Sequence, residues 1–128
     1  MSVELNHTIV MARDKRVSAE FMAEMLGLEV GAPFGPFLPV TTVNGVTLDF
    51  ADSDRDEIVS QHYAFLVSED DFDVIFQRIQ RAGITYYADP ARERQGEINR
   101  RDGGRGVYFL DPDGHFLEIL TRPYGSGG

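Results

Sequence analysis

The stretch that decides the fold is Gly106-Val107-Tyr108-Phe109-Leu110-Asp111-Pro112-Asp113-Gly114-His115-Phe116-Leu117-Glu118-Ile119-Leu120. Asp-Pro-Asp-Gly between two apolar runs is a turn signal, because Pro presets its own φ, Asp caps backbone amides and Gly accepts a left-handed conformation. The flanking runs, residues 106–110 and 116–120, therefore read as two strands joined by that turn. On the second strand Phe116, Glu118 and Leu120 share one face, so a carboxylate stands among apolar neighbours. His115 lies three residues from Glu118, on the opposite face, and reads as structural.

Working outward, the chain reads as two similar halves when the segment from His7 is laid against the segment from His62. Each opens with an alternating apolar strand, Leu5-Asn6-His7-Thr8-Ile9-Val10 and Gln61-His62-Tyr63-Ala64-Phe65-Leu66. Each continues with polar residues and a helical pattern: Val17, Phe21 and Met25 in the first, Phe72, Ile75, Phe76 and Ile79 in the second. Ser68 with Asp71 three positions on reads as an acidic capping pattern, and Gly27 and Gly83 read as C-terminal stops. The first half then runs through a loop with Gly31, Pro33, Gly35 and Pro36, an extended run over 37–43, an Asn44-Gly45 hairpin turn and a run over 46–50. The second half adds strands over 84–88, 106–110 and 116–120, so each half reads β-α-β-β with a further β segment. The charged stretch 52–60 links them.

Strand parity places Leu5, His7 and Ile9 on one face, His62, Ala64 and Leu66 on another, and Thr47 with Asp49 in the hairpin strand. Four strands can each aim one polar ligand at a common apolar cavity. Two imidazoles and a carboxylate, His7, His62 and Glu118, give three donors to a divalent ion and leave positions open for water, substrate or dioxygen. The donor set accepts Fe, Mn, Ni, Co or Zn. A lone strand histidine is more often a satisfied core or surface residue than a ligand; what favours the metal reading is recurrence at matching positions of two halves. Tyr108 reads either as a hydrogen-bond donor to the cavity or as a core tyrosine.

A length of 128 residues, 42% of them apolar, suits one domain with a real core. With no cysteine there is no disulfide framework, thiolate site or cysteine nucleophile. A formal net charge of −9 argues against nucleic-acid and anionic-membrane partners, and no apolar run approaches a spanning helix. A cytoplasmic protein with a small-molecule partner is expected. Residues 92–105 hold five of the twelve Lys and Arg residues (Arg92, Arg94, Arg100, Arg101 and Arg105), which reads either as a cationic lid suited to an anionic group or as a solvated loop. With Leu5, Ile9, Leu66 and Leu120 as apolar cavity positions, the expected ligand is part hydrophobic and part anionic.

Leu5-Asn6-His7, His62-Tyr63-Ala64-Phe65 and the string from Gly106 to Glu118 together resemble the vicinal oxygen chelate superfamily, which includes glyoxalase I, extradiol dioxygenases, fosfomycin-resistance transferases and bleomycin-binding proteins. The resemblance spans residues 3–122. It implies an α+β fold: two βαβββ modules forming a U-shaped mixed sheet around a metal cavity, in a single domain with module 1 over residues 3–51, a linker over 52–60 and module 2 over 61–122. It also implies a homodimer, metal positions at His7, His62 and Glu118, and a fourth family position at Asp49, which is shorter than the glutamate of glyoxalase I-like members. The implied activity is a metal-dependent lyase or isomerase, dioxygenase or transferase, with Glu118, Asp49 and Tyr108 as the catalytic candidates. Asp49 or a displaced Glu118 would serve as base in an isomerase. Tyr108 matches a substrate-contacting tyrosine of fosfomycin-type members, but Ile9 replaces a polar contact and the chain ends in Gly125-Ser126-Gly127-Gly128 before a basic phosphonate-binding position, so fosfomycin is not assigned. The alternative is a metal-free protein that sequesters an antibiotic or metabolite.

Overall fold

In the first half, the strand β1 (His7–Ala12) leads into the helix α1 (Lys15–Leu26) and returns as the hairpin β2 (Leu38–Thr41) and β3 (Thr47–Asp52), in a computed structural model that describes residues 1–127. The chain separates into two units, Met1–Ile58 and Val59–Gly128.

The first unit has a three-stranded sheet in the order β1-β3-β2, with β1 parallel and β2 antiparallel to β3. The Asn44-Gly45 turn forms as its chemistry requires: Gly45 takes φ 84° and donates to Thr42 O at 2.9 Å, while Thr42 N donates to Val46 O at 2.9 Å. The expected further β segment shrinks to isolated bridges, Val30 to Val40 and Phe34 to Phe37. The Pro- and Gly-rich loop that follows Val30 explains this, since proline has no N–H to give a ladder and glycine orders at high entropic cost.

Asp14 caps α1 by accepting from Arg16 N and Val17 N, and Gly27 ends it in the left-handed conformation at φ 71°. The face that α1 buries differs from the expected one. Ser18, Ala19, Met22, Ala23 and Met25 are buried, whereas Val17 is 51% exposed and Phe21 half-buried. Small alanines let a helix lie close to a sheet, so the packed stripe runs through Ala19, Met22 and Ala23, keeping Met25 of the expected residues and leaving Val17 and Phe21 at its margin. Beneath it, Val10, Leu48 and Phe50 are buried on the facing side of the strands.

The second unit holds β4 (His62–Leu66), α2 (Glu69–Arg81), β5 (Tyr86–Tyr87), a single 3-10 turn at Arg101–Gly103, β6 (Gly106–Leu110) and β7 (Phe116–Leu120). Its sheet runs β4-β7-β6-β5, with β4 parallel to β7 and the other pairs antiparallel. Ser68 Oγ accepts from Asp71 N at 3.1 Å as the N-cap of α2, and Glu69, Asp70 and Asp71 sit in the first turn, where the helix dipole favours acids. Phe72, Ile75 and Ile79 are buried with Val107, Phe109, Leu117 and Ile119 of the sheet. Burial of this kind is worth about 1.5–3 kcal/mol per large side chain. The strand expected over 84–88 is only two residues long.

Together these elements make the α+β fold of two mixed sheets and two helices. No helix among the described residues is long and apolar enough to cross a membrane. Met22→Ala is expected to cost about 2–5 kcal/mol by leaving a cavity under α1. Val17→Ala should stay within about 0.5 kcal/mol, as exposed substitutions do. Urea denaturation of the two variants checks which stripe carries the packing.

Candidate active site

The turn between β6 and β7 organises the second unit's site. Asp111 Oδ1 accepts from Asp113 N at 2.9 Å and His115 N at 2.8 Å, and Gly114, at φ 84°, donates to Asp111 O at 3.1 Å. The His115 side chain is buried, and its Nδ1 accepts from Gln61 N at 3.0 Å. Phe116 N donates to Gln61 O at 2.7 Å, and Ser60 Oγ donates to Gly114 O at 2.7 Å. The residues just before β4 are thereby fastened to the turn, and β4 pairs with β7 in the register His62↔Phe116 and Ala64↔Glu118. His115 is thus a structural acceptor.

That register and strand parity put His62, Phe116, Glu118 and Tyr108 on one face, with Tyr108 directly opposite Glu118 across β6 and β7. His62 Nδ1 stands 2.9 Å from Phe116 O, and its Nε2 stands 3.1 Å from Glu118 Oε1. A carbonyl only accepts, so Nδ1 carries the hydrogen and the Nε2 lone pair faces a carboxylate oxygen. Two acceptors at that distance repel unless a cation lies between them, either a proton or a metal ion. The Glu118 side chain is 1% exposed and that of His62 48%, so the pair has one buried oxygen donor and one solvent-reachable nitrogen donor.

The other carboxylate oxygen, Oε2, accepts a short hydrogen bond from the Tyr124 hydroxyl. Tyr124 is bonded in turn to the Tyr108 hydroxyl at 2.8 Å, and Arg101 Nη1 donates to Tyr108 at 2.8 Å and to Tyr124 at 3.2 Å. Because the carboxylate takes the Tyr124 hydrogen, Tyr108 must donate to Tyr124, and Arg101 stands at the head of the relay. Burial raises the Tyr124 pKa above the ordinary 10.0, and its bonds to Glu118 and Tyr108 raise it further. It remains a neutral donor. Around this group Tyr108 stacks on the His62 ring at 5.9 Å, Phe116 lies 5.3 Å from Tyr108, and the Arg92 guanidinium sits 5.9 Å over Phe116.

In the first unit, the parallel register His7↔Thr47 and Ile9↔Asp49 sets His7, Ile9, Thr47 and Asp49 on one face of the sheet, away from α1. His7 is exposed and its Nδ1 lies 2.8 Å from Asn6 Oδ1, which leaves Nε2 without an assigned role in that bond. The structure therefore brings His62, Glu118 and Tyr108 into contact within one unit and sets His7 and Asp49 on a common face within the other. Within each unit, among the described residues, no three histidine or carboxylate side chains gather into a ligand set. Of the four apolar positions expected to line a cavity, Leu120 is buried, while Leu5, Ile9 and Leu66 are 68%, 48% and 62% exposed. Each of these three lies on or beside a strand at the edge of its sheet.

The arginine-rich segment is tied down by its own contacts. Arg105 pairs with Glu69 at 2.7 Å and Asp73 at 2.8 Å, Arg94 pairs with Glu97 at 3.3 Å, and Arg101 is engaged by the two phenols. Sequence reasoning missed Tyr124 altogether and treated Arg101 as one of five interchangeable cations. An aromatic residue in the tail Thr121-Arg122-Pro123-Tyr124 was a weak signal, because nothing local shows where a tail returns.

The chain belongs to the Glyoxalase/Bleomycin resistance protein/Dioxygenase superfamily, whose family model matches residues 4–119. Among solved structures it is similar to Oxidase ChaP-H2, at 67% identity and a TM-score of 0.97 over 100% of both chains. It is 35% identical to Glutathione transferase FosA of Serratia marcescens, over 93% of this chain and 81% of that protein. A shorter match, 40% identity over 55% of this chain and 45% of the relative, is to Metallothiol transferase FosB of Shouchella clausii. These relatives are enzymes by name, transferases and an oxidase.

Asp111 provides a test of the turn. Its Oδ2 is buried with no hydrogen-bond partner, and burial raises its pKa above the ordinary 3.8 against the lowering effect of the His115 and Asp113 amides. An acid whose pKa rises on folding binds its proton more tightly in the folded state, so its contribution to stability is full below pH 3.8 and is lost as pH rises through the folded value. Asp111→Asn removes this titration and keeps an acceptor at Oδ1. The variant should gain on the parent as pH rises above 3.8 in a series of urea titrations; a gap moving the other way would contradict the assignment.

Proposed function

We propose that this chain is a metal-dependent oxidase-type enzyme of the superfamily, acting on a small molecule with a planar hydrophobic part and an anionic group. The observation that carries the reading is His62 Nε2 standing 3.1 Å from Glu118 Oε1, with the other ring nitrogen, Nδ1, committed to the Phe116 carbonyl. Metal-ligating histidines characteristically donate their second N–H to a carbonyl or carboxylate in this way. Similarity over the full chain to a protein named an oxidase, and over 55% of the chain to a relative named a metallothiol transferase, supports the same reading.

In this reading His62, Glu118 and His7 hold the ion, with Asp49 as a further donor or as the base that takes a substrate proton. A divalent ion supplies a Lewis-acid centre for two neighbouring substrate oxygens and their developing negative charge. The rest belongs to the chain. Phe116, backed by the buried Tyr108 ring, offers a ring face to a planar ligand, and Arg92 and Arg101 beside it offer positive charge to its anionic group. Buried Glu118 is kept from water, which strengthens every charge interaction at the site. A homodimer is part of the proposal: β1 and β4 are edge strands of their sheets with exposed Ile9 and Leu66, and uncovered apolar edges favour pairing with another copy.

Elemental analysis of tag-free protein dialysed without chelator should find close to one Fe, Mn, Ni, Co or Zn per chain. His7→Ala, His62→Ala and Glu118→Ala should each lose most of it, and light scattering should give a mass about twice 14.3 kDa. A metal-free parent whose thermal stabilisation by hydrophobic ligands is indifferent to EDTA would replace this reading with ligand sequestration.

A further inference from the structure

We propose that Tyr124, held by a C-terminal strap over residues 121–127, is a positioning residue that reserves Oε2 of Glu118 and so makes this carboxylate a one-oxygen metal donor. The inference rests on the reading that Glu118 and His62 hold a metal ion.

A carboxylate has about four lone-pair positions on two oxygens and can meet a cation through one oxygen or both. Here the two oxygens have different surroundings. Oε1 faces His62 Nε2, whereas Oε2 takes the Tyr124 hydroxyl hydrogen, and that hydroxyl is itself the acceptor for Tyr108. Drawing Oε2 onto a metal would make the ion and the Tyr124 hydroxyl hydrogen share one oxygen, so the hydrogen bond weakens that oxygen as a donor and favours Oε1. The one-oxygen mode keeps a coordination position free. A substrate that chelates through two neighbouring oxygens needs that extra position.

The strap is built to hold the phenol in place. The Asp102 carboxylate accepts from Gly125 N at 3.0 Å and from Gly127 N at 3.1 Å, gripping the chain just beyond Tyr124. Asp102 itself adopts a left-handed backbone, φ 56°, a conformation with a real cost for a non-glycine residue. Arg122 Nη2 donates to Ser126 O at 2.9 Å and closes the strap on itself. Before Tyr124, the strap presses on Gly104, where a Cβ would stand 2.5 Å from Thr121 Oγ1 and 2.9 Å from Arg122 Cγ. Adjacent residues of one 3-10 turn thus do paired work: Arg101 binds the phenol oxygens, and Asp102 binds the backbone that presents one of them. Phenylalanine at 124 would fill the same space, so the hydroxyl serves Glu118 rather than packing alone.

The test uses the full chain loaded with Co(II), whose visible d–d bands weaken as coordination number rises. The parent should bind one Co(II) per chain. Tyr124→Phe, and independently a chain ending at Pro123, should still bind Co(II) but with weaker bands, as Glu118 closes on the ion with both oxygens. Thermal melting confirms that each variant is folded. Co(II) bound by either folded variant with the parent's spectrum would overturn the role of Tyr124 and leave the metal site standing. A parent that binds no Co(II), or a Glu118→Ala variant that binds it with an unchanged spectrum, would overturn the metal reading and this inference with it.

Discussion

The register of β4 on β7 rests on Gln61, which gives its N–H to His115 Nδ1 across a sequence gap of 54 residues and accepts from Phe116 N at its carbonyl. A shift of one residue along a strand turns every side chain to the other face. With such a slip of β4, His62 would turn to the face that packs under α2 and away from Glu118. The buried ring of His115 and the Asp111 carboxylate that caps its amide are therefore part of the site, although neither touches the residues proposed to bind metal.

A carboxylate with 1% of its side chain exposed is costly unless its oxygens are met. Glu118 meets that condition asymmetrically: a phenol donates to Oε2, whereas Oε1 faces an imidazole nitrogen and is met through the cation held between them. The asymmetry originates in the chain's last residues and in the Arg101–Gly103 turn. Oxygens that are equivalent in an isolated side chain thereby acquire separate tasks, one facing a nitrogen donor and the other closed by a hydrogen-bond relay that starts at a guanidinium. Tyr108 joins the two sides, stacking on His62 and donating to Tyr124.

The arginine-rich segment shows how charge counted along a sequence differs from charge available in space. Five arginines within fourteen residues suggest a cationic surface for an anion. Arg105 instead neutralises Glu69 and Asp73 of α2 and lies over the Phe72 ring at 4.4 Å, and Arg94 pairs with Glu97 three residues on. Arg92 and Arg101 are the two of this group that lie against the aromatic rings beside His62 and Glu118.

Local chemistry was sufficient to read the α+β class, both hairpin turns, the Ser68 cap, the Gly27 stop and the shared faces of His7 with Asp49 and of His62 with Glu118 from the sequence. Turn residues act over four positions and strand parity over two, so both are visible along the chain. The packed stripe of α1 was not legible, because alanine gives no hydrophobic contrast and closeness to a sheet is a matter of shape. Nor were the reduction of the first half's further strand to isolated bridges, the engagement of Arg101 and the return of Tyr124 to Glu118. Sequence by itself determined on which strand faces His7, Asp49, His62 and Glu118 stand; tertiary structure alone decided which oxygen of Glu118 faces His62 and what closes the other, because contacts between segments distant in sequence depend on where the chain returns and no local pattern encodes that return.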